Sequence, residues 1–397
     1  MSSARTHGGT GGSESDAVGL LDELVRRAVI KAASDIHLEP KRDRTVIRLR
    51  IDGSMIEEAH LNPEAAAQVV SRVKVLARMD IAERRLPQDG QLTVETAPNA
   101  RVHLRASTFP CVHGEKVVLR VLLGQELIGF EQLGLSADAS ARVREIVRRP
   151  QGFVVTSGPT GSGKTSTLYA FMQLLDAPRV NVMTLEDPVE VDVPAITQGQ
   201  THARAGFTFA TGLRAILRQD PDVILVGEIR DAETATIALQ AALTGHLVFS
   251  TLHTASTTET IVRLVDLGVE AWVVANALSA VIAQRLVRVT CSQCQETVKL
   301  EADLWDGDEV LLPAGSPIVR PRGCRACFGT GYKGRVGIFE LLVVDDDLRE
   351  LVKSKAGGRE YRAWLGQHRV PSLRRVGFAK VREGVTTVDE IMRVTTS

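Results

Sequence analysis

Phe153-Val154-Val155-Thr156-Ser157-Gly158-Pro159-Thr160-Gly161-Ser162-Gly163-Lys164-Thr165-Ser166-Thr167-Leu168-Tyr169 joins an apolar, β-prone run to a helix-compatible one. The join, Gly158 to Thr165, fits the pattern G-x-x-x-x-G-K-[ST]. Glycines lack the Cβ that forbids left-handed backbone angles, so the loop can turn its N–H groups inward around a β-phosphate. Lys164 adds a point charge for the β- and γ-phosphates, and the Thr165 hydroxyl suits Mg²⁺. Pro159, Thr160, Gly161, Ser162, Gly163 and Ser166 complete the expected contacts to ATP. Leu168, Phe171, Met172, Leu174 and Leu175 continue at helical spacing, which points a helix N-terminus at the anion. Strand, loop and helix in that order separate a nucleotide site from a Gly-rich turn with a chance lysine.

Outward from this loop, the apolar runs 181–185, 223–226 and 247–249 are short, continuous and separated by helical stretches. That pattern predicts strands buried on both faces of a mostly parallel sheet, in an α/β fold whose ligands bind at the carboxyl ends of the strands. A phosphate loop also needs an acid on a neighbouring strand to organise Mg²⁺ and water. Ile224-Leu225-Val226-Gly227-Glu228 offers Glu228, because Gly227 occupies the usual aspartate position. Thr184-Leu185-Glu186-Asp187-Pro188 offers Glu186. His246 and His253 bracket the run 247–249, where an imidazole adjustable near neutral pH can sense a γ-phosphate. Single acids and histidines at such positions are commonly structural. A phosphate loop on the same sheet is what turns the reading toward function.

Upstream, Leu20, Leu21, Leu24, Val25, Val29 and Ile30 predict an amphipathic helix over 16–33, and residues 63–79 predict a second. Ile47, Leu49 and Ile51 alternate with Arg48 and Arg50, and Val102 and Leu104 alternate with His103 and Arg105, as half-buried strands do. A turn is expected over 86–90 and a further strand, carrying Arg120, over 116–123. These elements make a small α+β domain over 16–125, after a Gly/Ser/Thr-rich tail over 1–15 that reads as disordered. A linker over 126–135 and a nucleotide domain over 136–288 follow. Residues 271–283 read as a buried core helix, interrupted by Asn276 and Ser279.

Cys291-x-x-Cys294 and Cys324-x-x-Cys327 can supply four thiolates to a tetrahedral, structural Zn²⁺ within a subdomain over 289–338. With no signal-peptide pattern in the chain, disulfides are the less favoured reading. Cys111, left over, is expected to be a buried thiol. A charged helical subdomain over 339–397 closes the chain. Forty-eight Lys and Arg balance 48 Asp and Glu, and aromatics make up 4%. That composition offers neither the basic groove nor the stacking platform of a nucleic-acid translocase, and no direct nucleic-acid contact is expected. No apolar run approaches the length of a membrane span, so a cytoplasmic or peripheral location is expected.

Taken together, Ala33-Ser34-Asp35-Ile36-His37-Leu38-Glu39-Pro40, Gly158 to Thr165, Leu185 to Pro188, Leu217-Arg218-Gln219-Asp220-Pro221-Asp222 running into Gly227 to Asp231, and Thr244 to Thr254 are jointly specific. From about residue 20 onward the chain resembles the type II secretion and type IV pilus-assembly ATPases. The resemblance implies a RecA-like ATPase domain in a homo-hexamer, with the first domain packing on the nucleotide domain of a neighbour. It implies that Arg105 and Arg120 reach the phosphates, that Glu186 and Glu228 are the acids, and that His246 and His253 form a histidine motif. It further implies inner-membrane platform partners, with peripheral association at that membrane through them. Members of the family commonly carry a further N-terminal platform-docking domain, where a short tail stands here. The four-cysteine insert looks like the secretion and pilus-extension branches, which favours fibre assembly over retraction or DNA uptake.

Overall fold

The structure, a computed structural model, describes residues 14–97, 100–122, 127–307 and 309–396. Most of the tail expected over 1–15 lies outside the described residues, as do residue 123 of the expected strand and residue 126 of the expected linker. The chain divides into two compact units, Met1–Gln125 and Glu126–Ser397.

In the first unit α1 (Glu14–Ile30) precedes β1 (Asp35–Pro40), β2 (Thr45–Ile51) and β3 (Ser54–Leu61); α2 (Pro63–Leu76) leads to β4 (Gln88–Ala97), β5 (Ala100–Cys111) and β6 (Gly114–Leu122). Asn62 caps α2 by accepting from the Ala65 N–H at 2.8 Å, and Pro63 sits where its missing N–H costs nothing. The strands form one antiparallel sheet in the order β3-β2-β1-β6-β5-β4. Alternation sends Ile36, Leu38, Ile47, Leu49, Leu104 and Leu119 to one face, where Leu21, Leu24 and Val25 of α1 and Val69 and Val73 of α2 close the core. The other face is polar. The turn expected over 86–90 is shorter, since Gln88, Asp89 and Gly90 already pair with Thr108, Ser107 and Ala106. Cys111 is exposed rather than buried, because it ends β5 at the hairpin facing Gly114.

The second unit begins with a 3₁₀ turn, Phe130–Leu133, inside the stretch expected to be a linker. Phe130 and Leu133 are buried, and the Phe130 ring lies 6.1 Å from that of Phe171, so this segment is part of the packed domain. Then come α3 (Ala137–Val147), β7 (Gly152–Ser157), α4 (Lys164–Met172), β8 (Val182–Glu186), β9 (Thr197–Gln200), α5 (Phe209–Ile216), β10 (Val223–Val226), α6 (Ala232–Leu243), β11 (Leu247–Leu252), α7 (Thr257–Asp266), α8 (Ala271–Ala277) and β12 (Leu278–Thr290). Short strands β13 (Gln295–Lys299), β14 (Leu304–Asp306), β15 (Glu309–Leu312) and β16 (Pro317–Pro321) lead to β17 (Tyr332–Val343) and four helices, α9 (Asp346–Lys353), α10 (Gly358–Gln367), α11 (Leu373–Arg382) and α12 (Val388–Thr395).

The main sheet runs β17-β12-β7-β11-β10-β8-β9, parallel except for the β12–β17 pair. Every residue of β7, β10 and β11 is buried, which is why these strands read as uninterrupted apolar runs. The stretch 271–283 departs from the expected helix: α8 stops at Ala277 and Leu278 opens β12. From Leu278 to Gln284 the chain is continuously buried between β7 and β17, so apolar content alone could not separate strand from helix here. Residues 288 and 338, drawn as boundaries from the sequence, fall inside β12 and β17. These strands pair from Ala280↔Val343 to Thr290↔Tyr332, so the cysteine lobe is an excursion at the end of a continuous ribbon.

Candidate nucleotide site

The loop after β7 owes its shape to its neighbours as much as to its own residues. Gly158 has φ 152°, and a Cβ there would lie 2.5 Å from the Gln284 carbonyl and 2.6 Å from Ser162 Oγ. Gly163 stands at the N-cap of α4 in the left-handed region, φ 84°, with no side chain capping the helix. The free N–H groups and the helix dipole of α4 are therefore left for an anion. Lys164, 8% exposed, donates from Nζ to the carbonyls of Gly158 at 2.8 Å and Pro159 at 3.1 Å. Burial pushes its amine down to about 8, against the pull of Glu228 and with a smaller push from Arg285. Thr165 and Ser166 follow in the first turn of α4. Among the described residues, the buried hydroxyls of Thr156, Ser157, Ser162 and Thr167 and the Gln284 Oε1 have no hydrogen-bond partner. A cradle that a Cβ would fill, an uncapped helix and these orphaned polar atoms fit a nucleotide's phosphates with Mg²⁺.

Glu228 lies just past β10 with its side chain 17% exposed, ion-paired to Arg230 and 3.1 Å from His253 Nε2. Burial works to raise its carboxyl, yet Arg230 and His253 outweigh it and hold the group below the ordinary glutamate value. Gly227, where an aspartate is usual, donates its N–H to the Leu185 carbonyl at 2.8 Å. A Cβ there would come within 3.2 Å of that oxygen. Glu186, at the end of β8, is 3% exposed and accepts from Tyr169, from Thr184 Oγ1 at 2.5 Å and from Gln198 Nε2 at 3.1 Å.

His253 thus joins Glu228 near the loop, and His246 does not. His246 precedes β11, where its carbonyl accepts from the Gly152 N–H at 3.0 Å and its Nδ1 lies 2.9 Å from the Ala241 carbonyl. Six strand residues, roughly 20 Å at the usual rise, separate it from the phosphate loop, so the expectation that it senses a γ-phosphate is corrected within this chain.

In the first unit, Arg50, Asp35, Arg120 and Arg105 form one row across β2, β1, β6 and β5, with Asp35↔Arg50, Asp35↔Arg120 and Arg105↔Arg120 in register. Arg120, 65% exposed, donates from Nε to the buried Asp35 at 3.1 Å, and Arg50 lies 3.7 Å from the same carboxylate. Arg105 and Arg120 are like charges directly opposite, an arrangement that Asp35 offsets.

The four cysteines converge. Sγ distances of 3.9 Å (Cys291–Cys324), 3.9 Å (Cys294–Cys327) and 3.8 Å (Cys324–Cys327) are far beyond a disulfide bond. They match the edge of about 3.8 Å of a tetrahedron with Zn–S bonds of about 2.3 Å. The N–H groups of Cys324 and Gly331 donate to Cys327 Sγ at 3.1 and 3.2 Å, as they would to a thiolate ligand. The donor set fits zinc.

Residues 13–393 match the family model described as Type II/IV secretion system protein. The chain belongs to this family. It is 46% identical to the type II secretion system protein E of Pseudomonas aeruginosa over 392 residues, covering 96% of this chain and 76% of that one. It is 44% identical to the type II secretion system ATPase E of Vibrio cholerae over 391 residues, with 96% and 76% covered. Identity to the type IV pilus assembly ATPase TfpB of Acinetobacter baylyi is 41% over 382 residues, with 95% and 65% covered. Among solved structures, the fold is similar to the ATPase DotB of Legionella pneumophila, at a TM-score of 0.69 and 21% identity over 95% of each chain. It is also similar to the pilus retraction motor PilT with bound ADP, at 0.61 and 26% identity over 95% of this chain and 97% of that one. The α/β ATPase fold with a mostly parallel sheet, read from the sequence, is the fold of the family and of this chain.

Sequence reasoning missed three side chains at this site. Gln284 and Arg285 reach the phosphate loop because Ala283 pairs with Ser157; the Arg285 guanidinium is anchored on the carbonyls of Gln284 at 3.0 Å and Ala255 at 2.8 Å. Their signal was a polar pair interrupting an apolar run. Tyr169 sat within the quoted stretch and was silent, since a tyrosine in a helix ordinarily reads as core.

Proposed function

We propose that the chain is a Mg-ATP hydrolase that works as a ring of six copies and powers assembly of a pilin-like fibre in type II secretion or type IV pilus biogenesis. The observation that carries the reading is the cradle formed by Gly158, the uncapped start of α4 and Lys164, with Glu228 and His253 on the neighbouring strand ends. In this reading the loop N–H groups and Lys164 bind the phosphates, and the Thr165 hydroxyl holds Mg²⁺. The bound ion neutralises phosphate charge. Glu228 and Glu186 orient or accept a proton from the attacking water, His253 holds Glu228 in place, and Arg105 and Arg120 of an adjacent copy bring further positive charge to the phosphates. Cys291, Cys294, Cys324 and Cys327 hold a structural Zn²⁺.

The relatives named for type II secretion and pilus assembly support assembly over retraction, being 41–46% identical where the retraction motor PilT is 26% identical. No helix among the described residues is long and apolar enough to cross a membrane. Attachment at the cytoplasmic side of the inner membrane is accordingly assigned to platform partners. Steady-state phosphate release from Mg-ATP tests the hydrolase reading. The purified chain turns over ATP and Glu228→Gln falls to background; a Glu228→Gln variant with near-normal release overturns the site.

A further inference from the structure

Tyr169 lies on α4, the helix that opens with Lys164, and is 4% exposed. Its hydroxyl donates to Glu186 Oε2, while Oε1 accepts from Thr184 Oγ1 at 2.5 Å and from Gln198 Nε2 at 3.1 Å. Gln198 is itself fixed, donating to the Val191 carbonyl at 3.0 Å and accepting from the Val193 N–H at 2.7 Å. Three donors from α4, β8 and β9 therefore grip one buried carboxylate. Burial and the neighbouring carboxylate push the Tyr169 hydroxyl far above the usual tyrosine range, so it remains an O–H donor at any working pH.

A satisfied buried acid alone would account for the hydrogen bonds, and what they connect carries the argument further. β8 pairs with β10, Leu185 facing Val226, so Glu186 ends its strand on the edge where Glu228 begins. The donor on Oε2 comes from the one helix whose first turn presents Lys164 and Thr165. A carboxylate with Oε1 doubly engaged has its free lone pairs on Oε2, and the direction in which they point is set by the Tyr169 hydroxyl. Any shift of α4 on filling the phosphate cradle is transmitted to that oxygen through one hydrogen bond.

We propose that Tyr169 is a positioning residue for hydrolysis, which aims Glu186 and ties its orientation to the helix that binds the phosphates. The proposal rests on the reading that Glu186 takes part in turnover. Tyr169→Phe keeps the ring in its buried slot and deletes the one donor. We expect kcat to fall between about tenfold and a hundredfold, as misaimed catalytic groups do, with KM and nucleotide affinity unchanged. Since the hydroxyl acts through the carboxylate, Tyr169→Phe should cost nothing more in a Glu186→Gln background.

Wild-type kcat in Tyr169→Phe, beside an impaired Glu186→Gln, overturns the proposal and leaves the role of Glu186 standing. Losses that multiply in the double variant also overturn it, since the two groups would then act independently. Wild-type turnover in Glu186→Gln is a different failure, that of the underlying reading. Thermal unfolding of each variant accompanies the kinetics, and a loss of kcat matched by loss of nucleotide binding and melting temperature counts against positioning.

Discussion

Arg50, Arg105 and Arg120 stand on the open face of an antiparallel sheet, whereas Lys164, Glu186 and Glu228 stand at the carboxyl ends of strands in a sheet buried on both faces. The first arrangement follows from alternation: one side of the sheet closes the core and the other lifts long side chains into solvent. Charges there are screened by solvent: Arg50 and Arg120 share the Asp35 carboxylate, and Arg50 also donates to the Gly53 carbonyl at 3.0 Å. In the second arrangement the charges share their space with backbone N–H groups, a helix dipole and orphaned hydroxyls, in a medium that moves the Lys164 amine down to about 8. The contrast teaches that a fixed cradle and a movable charge require different sheets. A motor needs both.

The harshest test of this contrast is Lys164→Ala. It removes the buried charge, and both nucleotide binding by calorimetry and phosphate release should become undetectable. Retained binding would mean that the backbone cradle suffices and would erase the difference between the sheets. Next come Arg105→Ala and Arg120→Ala. As the charges proposed to reach the phosphates from an adjacent copy, each should lower kcat by about 10³-fold with nucleotide affinity held, the scale of an arginine finger. Loss of affinity instead would place them in the resting site and break the comparison from the other side.

Much of this division was legible in the sequence. The phosphate loop is read locally, since its pattern of glycines, lysine and threonine falls within eight consecutive residues, and the paired C-x-x-C signals are local in the same sense. Alternation marked Arg48, Arg50 and Arg105 as a polar face. Illegible were features that depend on which strands become neighbours. Arg285 enters the site because β12 pairs with β7, and His246 leaves it because the loop lies at the other end of β11. Apolar content could not stop α8 at Ala277, and Cys111 is exposed by a hairpin whose register the sequence does not state.

A smaller effect concerns how the open face holds its shape. Glu39 is buried beneath it, and although desolvation works to raise its carboxyl, Arg48 at 2.6 Å and Lys116 at 3.1 Å hold it down to about 2. A carboxyl lowered in the folded state contributes stability that is present above its ordinary value of 4.5 and lost as pH falls from there toward about 2. Glu39→Gln should therefore destabilise the first unit at pH 7 by up to about 3 kcal/mol, with the cost shrinking as pH drops through that window. Amide exchange of β1 and β6 in the full chain reads this directly, and equal exchange in variant and parent at pH 7 would show the face to be held otherwise.

The gentlest test needs no substitution. In the free protein the Lys164 amine sits near 8 rather than 10.5, and bound phosphates favour its charged form. Below about pH 8 the amine is protonated in both states, so affinity is flat. Above it, the free protein must take up a proton to bind, and affinity should weaken by up to about tenfold per pH unit until the ordinary value is reached. Calorimetry at pH 9 in two buffers of different ionisation enthalpy should register an uptake approaching one proton. Zero uptake in the parent chain would mean that burial does not shift Lys164, and the cradle would then be no less solvated than the open face it is contrasted with.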